Sequence, residues 1–182
     1  MKKITVTKPT LPPLDQYVSM LKDIWDAGIL TNNGPFNQKL ETDLQEYLNV
    51  MNLVVMNNGT SALVAAIHAL GLSGEVITTP YSFVATTNAI VFCGLKPVFV
   101  DIDESNCNIN PSLIESAITP STSAIVAVHS YGLPCDVDAI EKIAARNNLK
   151  VIYDAAHAFG VKINERNILS YGDTSAISFH AT

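Results

Sequence analysis

The sequence predicts an α/β fold, a mainly parallel sheet flanked by helices on both faces. Three observations carry that reading. From Leu53 onward, short apolar runs alternate with segments of helical spacing, the pattern of a parallel sheet joined by crossover helices. Gly71 and Gly94 stand where two of the helical segments should stop. The run Lys150-Val151-Ile152-Tyr153-Asp154 ends in a carboxylate, with His157 three residues later. In open α/β sheets the carboxyl ends of strands are where functional groups gather.

Taken in order, residues 1–13 read as an extended arm punctuated by Pro9, Pro12 and Pro13. Leu14, Tyr17, Val18, Leu21, Ile24 and Trp25 recur at helical spacing, and Gly28 ends that helix. Residues 29–35 are a loop by composition. A second amphipathic helix sets Leu40, Leu44, Tyr47 and Leu48 on one face. The alternation then begins, with a strand at Leu53–Met56, a helix at Thr60–Leu70 and a strand at Glu75–Thr79. It continues with a helix at Phe83–Cys93, a strand at Pro97–Asp101, a short helix at Pro111–Ala117 and a strand at Ala124–Val128. A helix at Asp136–Asn147, the strand Val151–Asp154 and a last strand at Thr174–Phe179 complete the reading. No internal repeat or linker interrupts it, so 1–182 reads as a helical preface followed by one α/β unit.

Bulk properties narrow the class. A chain of 182 residues, 48% hydrophobic, can bury a core. A net charge of −6 argues against a nucleic-acid surface. Cys93, Cys107 and Cys135 are far apart, which suggests neither a zinc site nor a disulfide framework and points to a reducing cytoplasm. The basic start has no long apolar stretch behind it, and no run reaches the length of a membrane span.

Polar residues cluster at the predicted strand ends. Asn57-Asn58-Gly59-Thr60-Ser61 lies between a strand and a helix. Helix-start N–H groups bind phosphate, and Gly59 permits close approach, although an ordinary N-cap has the same composition. The aromatic residues of Thr79-Pro80-Tyr81-Ser82-Phe83, at a strand end, either cover a flat ring or simply pack. Asp154 needs a positive or protonated partner if buried, or else forms a local cap or Asx turn. His157 has no second ligand at metal spacing, which leaves a general base or a hydrogen-bond donor. Ser178 is a second phosphate donor or part of a turn, and His129 and His68 read as structural. Neither a dinucleotide fingerprint nor a P-loop is present. A phosphate cradle, a ring cover, a carboxylate and a hydroxyl at successive strand ends are what pyridoxal 5'-phosphate (PLP) requires, its ring nitrogen taking the acidic partner.

The segments Asn58–Leu63, Thr79–Thr86, Pro97–Asp103, Asp154–Ala158 and Ser178–Thr182, with the loop Leu30–Pro35, resemble the nucleotide-sugar aminotransferases of the DegT/StrS type. The resemblance runs nearly the whole length of the chain. It implies the large domain of a fold-type-I PLP enzyme working as a homodimer. Its substrate would be a nucleotide-linked (dTDP-linked) 4-keto-6-deoxyhexose, with glutamate as the amino donor. By position, Gly59, Thr60, Ser61 and Ser178 would hold the cofactor phosphate, and Phe83 would stack on the ring. Asp154 would pair with the ring nitrogen, and His157 would lie near the phenolic oxygen, where many members carry Gln. Thr31, Asn33, Pro35 and His180 would face the sugar nucleotide. The loop carries one Asn more than the commoner Thr-x-Gly-Pro form. The family's cofactor-bearing lysine follows directly after a segment like Ser178–Thr182, so lysine is expected at position 183 and the chain reads as partial, without the C-terminal small domain. Histidine there would imply a sugar dehydratase instead, and any other residue a non-catalytic binding or regulatory relative. Lys96 and Lys162 lie outside the motif.

Overall fold

The computed structural model describes residues 8–180. Residues 1–7 of the expected arm, and Ala181 and Thr182 of the closing motif, lie outside them. Two helices come first, α1 (Leu14–Ala27) and α2 (Pro35–Leu48). Gly28 ends α1 at φ +65°, donating its N–H to Ile24 O, a conformation that favours glycine. Pro35 opens α2 at a position where its missing N–H costs no helical bond. α1 has the apolar stripe its spacing predicts, yet none of its residues is buried and Trp25 is 75% exposed. α2 buries Leu44 and Leu48.

Five strands follow, β1 (Glu75–Thr78), β2 (Lys96–Phe99), β3 (Thr122–Val128), β4 (Lys150–Asp154) and β7 (Thr174–Ala176). They form one sheet in the order β2-β1-β3-β4-β7, and every pairing is parallel. Helix α3 (Gly59–Ala69) precedes β1, and α4 (Val84–Phe92), α5 (Pro111–Ala117) and α6 (Val137–Asn147) run between successive strands. Alternate strand residues serve opposite faces. Val76, Ala124, Val126 and Ile152 pack with Leu63 and Ile67 of α3 and Ala89 and Ile90 of α4. Ile77, Ile125, Val151 and Tyr153 pack with Ile114 of α5 and Ile140 of α6. Both faces are therefore covered by helices, as the alternation predicts.

Three expectations need correction. Leu53–Met56 is not a strand. It keeps the alternation of half-buried Leu53 and Val55 with exposed Val54 and Met56, but among the described residues no strand pairs with it. Val55 N–H goes instead to the carboxylate of Glu41 at 2.8 Å. A cleft of about 930 Å³ separates this segment from β7. The strands expected at Pro97–Asp101 and Thr174–Phe179 are shorter, ending at Phe99 and Ala176. Finally, β5 (Lys162–Ile163) and β6 (Arg166–Asn167) form an unanticipated antiparallel hairpin. Its two linking residues, Asn164 and Glu165, both have positive φ, as the favoured tight turn requires.

His129, just past β3, shows how the sheet's carboxyl end is fixed. Its backbone N–H donates to Asp154 O at 3.0 Å, tying β3 to β4. Its ring is fully buried, stacks on Tyr153 with centroids 4.7 Å apart, and accepts the Cys135 N–H on Nδ1 at 3.0 Å. A proton could enter only at Nδ1, displacing that bond, and burial already holds the ring's pKa down at about 4. The folded value lies below the unfolded one, near 6.5, so the neutral ring's contribution is complete above about pH 6.5. It is lost as pH falls from there to about 4. His129→Gln should therefore remove roughly 3 kcal/mol of the acid-side decline in unfolding free energy, measured by urea denaturation across that window. Equal declines in the two proteins would refute the assignment.

Candidate active site

The site is assembled where α3, α4 and the ends of β4 and β7 meet. At the start of α3, the Asn58 side chain accepts the Ser61 N–H at 2.8 Å and caps the helix. Asn58 thus fills the capping role, and among the described residues the hydroxyls of Thr60 and Ser61 have no protein partner. A Cβ on Gly59 would lie 3.2 Å from Ser178 Cβ and 3.4 Å from its Oγ. Glycine is what allows the start of α3 and the segment after β7 to approach so closely. Gly59 and Ser178, expected together from the sequence, meet at the start of α3, where Thr60 and Ser61 follow.

Asp154 closes β4 and is only 5% exposed. Its Oδ2 accepts the Thr86 hydroxyl at 2.7 Å, and its Oδ1 accepts the Ala156 N–H at 3.2 Å. The Asx-turn alternative is thus realised in part, while the helix-cap alternative is not, since no helix begins directly after Asp154. A buried carboxylate with two neutral donors and no cation is chemically unfinished, because such a group is ordinarily paired. Phe83 is the residue before α4, 73% exposed, one helical turn from Thr86. The first turn of α4 therefore joins the candidate ring cover to the carboxylate.

His157 is exposed and its ring lies 6.2 Å from that of Tyr131 at an angle of 19°. Tyr131 sits at φ +53°, unusual for a bulky residue. Its hydroxyl pairs with that of Tyr81 at 2.9 Å, which pushes the Tyr81 pKa up to about 12. Gly132, at φ +79°, has no room for a side chain, since a Cβ would meet His157 O at 2.8 Å. The turn is anchored from below by Asn108, which accepts the Ser130 N–H and donates to the carbonyls of Leu133 and Pro134.

The proposed substrate-side residues are less closely gathered. Asn32 and Asn33 both have positive φ, which accounts for two Asn residues in that loop, because Asn tolerates the left-handed region best after Gly. Asn33 accepts from Gln38 and Asn37, and Pro35 begins α2, while Thr31 is exposed. The hydrogen bonds described for the loop run to α2 rather than to Asp154. His180 lines the 930 Å³ cleft with Asn58, Gly59 and Ser178. That cleft borders the start of α3, and neither Asp154 nor Phe83 lines it. Lys96 pairs with Glu75 at the opposite end of the sheet, and Lys162 is exposed on β5. Sequence reasoning gave no role to Thr86 or Tyr131. The only signal for Thr86 was a hydroxyl one turn after Phe83.

The profile of the DegT/DnrJ/EryC1/StrS aminotransferase family matches residues 15–182. The chain belongs to this family. It is 58% identical over 181 residues to a dTDP-4-amino-4,6-dideoxy-D-glucose transaminase of Shigella dysenteriae, covering 100% of the chain and 49% of that relative. The structure of DesI in the presence of its TDP-sugar product superposes with a TM-score of 0.92 at 38% identity, covering 96% of this chain and 44% of that one. NtdA of Bacillus subtilis with bound cofactor PMP gives 0.86 at 35%, covering 92% and 38%. The chain spans about half the length of the curated relatives it matches. The mainly parallel sheet is the fold-type-I arrangement shared by the aminotransferases of this family. Among the described residues no helix is long and apolar enough to cross a membrane.

Proposed function

We propose that this chain serves a PLP-dependent aminotransferase. The enzyme would convert a dTDP-linked 4-keto-6-deoxyhexose to the 4-amino sugar, taking the amine from glutamate and leaving 2-oxoglutarate. The observation that carries the reading is the buried carboxylate of Asp154, set beside the first turn of α4 and accompanied by the close approach of Gly59 and Ser178. The similarity to the Shigella dTDP-4-amino-4,6-dideoxy-D-glucose transaminase supports the choice of sugar nucleotide.

The residues fit the cofactor. Backbone N–H groups at the start of α3, with Thr60, Ser61 and Ser178 hydroxyls, would hold its phosphate, and Gly59 keeps the space clear. Asp154 would keep a proton on the ring nitrogen. Phe83 would cover the ring and exclude water from one face. His157, steadied by Tyr131, would donate a hydrogen bond to the phenolic oxygen. When bound, PLP supplies the electron sink that lets an amine be moved between carbons. Thr31, Asn33, Pro35 and His180 are proposed as substrate contacts.

We also infer a homodimer in the cytoplasm. The uncovered apolar faces of α1 and α4, including Trp25, Val84 and Phe92, and the free cysteines support those two readings.

Incubating the complete protein with PLP, glutamate and dTDP-4-keto-6-deoxyglucose should yield the dTDP-amino sugar and 2-oxoglutarate in equal amounts. Absence of amino-sugar product with this and related keto-sugar nucleotides would overturn the proposal.

A further inference from the structure

We infer that Thr86 is a positioning residue for the cofactor's ring nitrogen, acting through the carboxylate of Asp154. The inference rests on the proposed role of Asp154 and goes one residue beyond it.

Thr86 is almost completely buried on α4, 1% exposed. Its hydroxyl has one proton and two acceptors in reach, Phe83 O at 3.2 Å and Asp154 Oδ2 at 2.7 Å. The Phe83 carbonyl already accepts the Thr86 backbone N–H. The carboxylate is the shorter contact and the stronger acceptor, because hydrogen bonds to an ionised group are shorter and stronger than neutral ones. The proton therefore belongs to Asp154. Among the described residues, the only other donor on that carboxylate is Ala156 N–H at a longer 3.2 Å. Thr86 is thus the principal restraint on the plane of the carboxylate, and it is in place before any ligand arrives. Oxygen lone pairs not used by these two donors are left to meet a protonated ring nitrogen. A packing role alone would need only the methyl group, which valine supplies equally well.

The test compares PLP with 1-deazapyridoxal phosphate, which replaces the ring nitrogen with C–H. Binding of both to the complete protein is measured by equilibrium dialysis for wild type, Thr86→Val, Thr86→Ala and Thr86→Ser. Any step at the aldehyde is common to the two ligands and cancels in the ratio. Wild type should prefer PLP. Thr86→Val and Thr86→Ala should each shrink that preference by roughly tenfold to a hundredfold, the loss of one hydrogen bond to a charged group, and Thr86→Ser should restore it. If the variants weaken both ligands equally, or keep the wild-type preference, Thr86 acts only in packing and the inference falls. The reading of Asp154 fails separately if wild type shows no preference for PLP and Asp154→Asn leaves the ratio unchanged, and this inference falls with it.

Discussion

Asp154→Asn is expected to lower turnover by roughly a hundredfold to a thousandfold, comparable to the loss of one preorganised electrostatic group, while leaving the fold in place. The fold should survive because the amide oxygen can still accept the Thr86 hydroxyl, and no cation loses a partner. Backbone bonds from His129 N–H to Asp154 O and from Ala155 N–H to Ala176 O would continue to tie β4 to its neighbours. What disappears is the negative charge that keeps a proton on the ring nitrogen, and with it the cofactor's capacity to accept electrons. Steady-state transamination, measured beside the melting temperature, separates the two effects. Turnover close to wild type would remove Asp154 from this role.

The second large effect concerns phosphate. Replacing Thr60 and Ser178 together with Ala should weaken PLP affinity by about a hundredfold or more, since each hydrogen bond to a charged group is worth about 1.5–3 kcal/mol. The two residues come from different elements, α3 and the segment after β7, which approach each other at Gly59. Asn58 remains to cap the helix, so secondary structure should be unchanged. Loss of PLP on dialysis with an unaltered circular dichroism spectrum is the expected result. Undiminished retention would place the phosphate elsewhere.

Much of this arrangement was legible in the sequence. Helix α5 has the predicted limits, Pro111 to Ala117, because proline at a helix start is a local signal. The strands of the sheet core were legible because each is an apolar run bounded by turn residues. The failures share a cause, which is dependence on distant partners. The run Leu53–Met56 has the alternation of a strand, but pairing needs a neighbour that the run cannot encode. The stripe on α1 is helical, as its spacing predicts, but spacing alone does not say what covers it. Thr86 bonds to a residue 68 positions away, and nothing near it in the chain announces that carboxylate. The β5–β6 hairpin escaped because strands of two residues leave no periodicity to read.

The two rims of the sheet are protected unequally. The outer strand β2 carries Lys96 and Pro97. A charge and a residue without an N–H discourage a further strand from joining there. The opposite outer strand, β7, is Thr174-Ser175-Ala176, with neither device, and it faces the cleft that separates it from the Leu53–Met56 segment. Its backbone groups form a template of the kind that recruits extended chain from any source. The shortness of β7, three residues, is then what limits how much added chain that rim can hold.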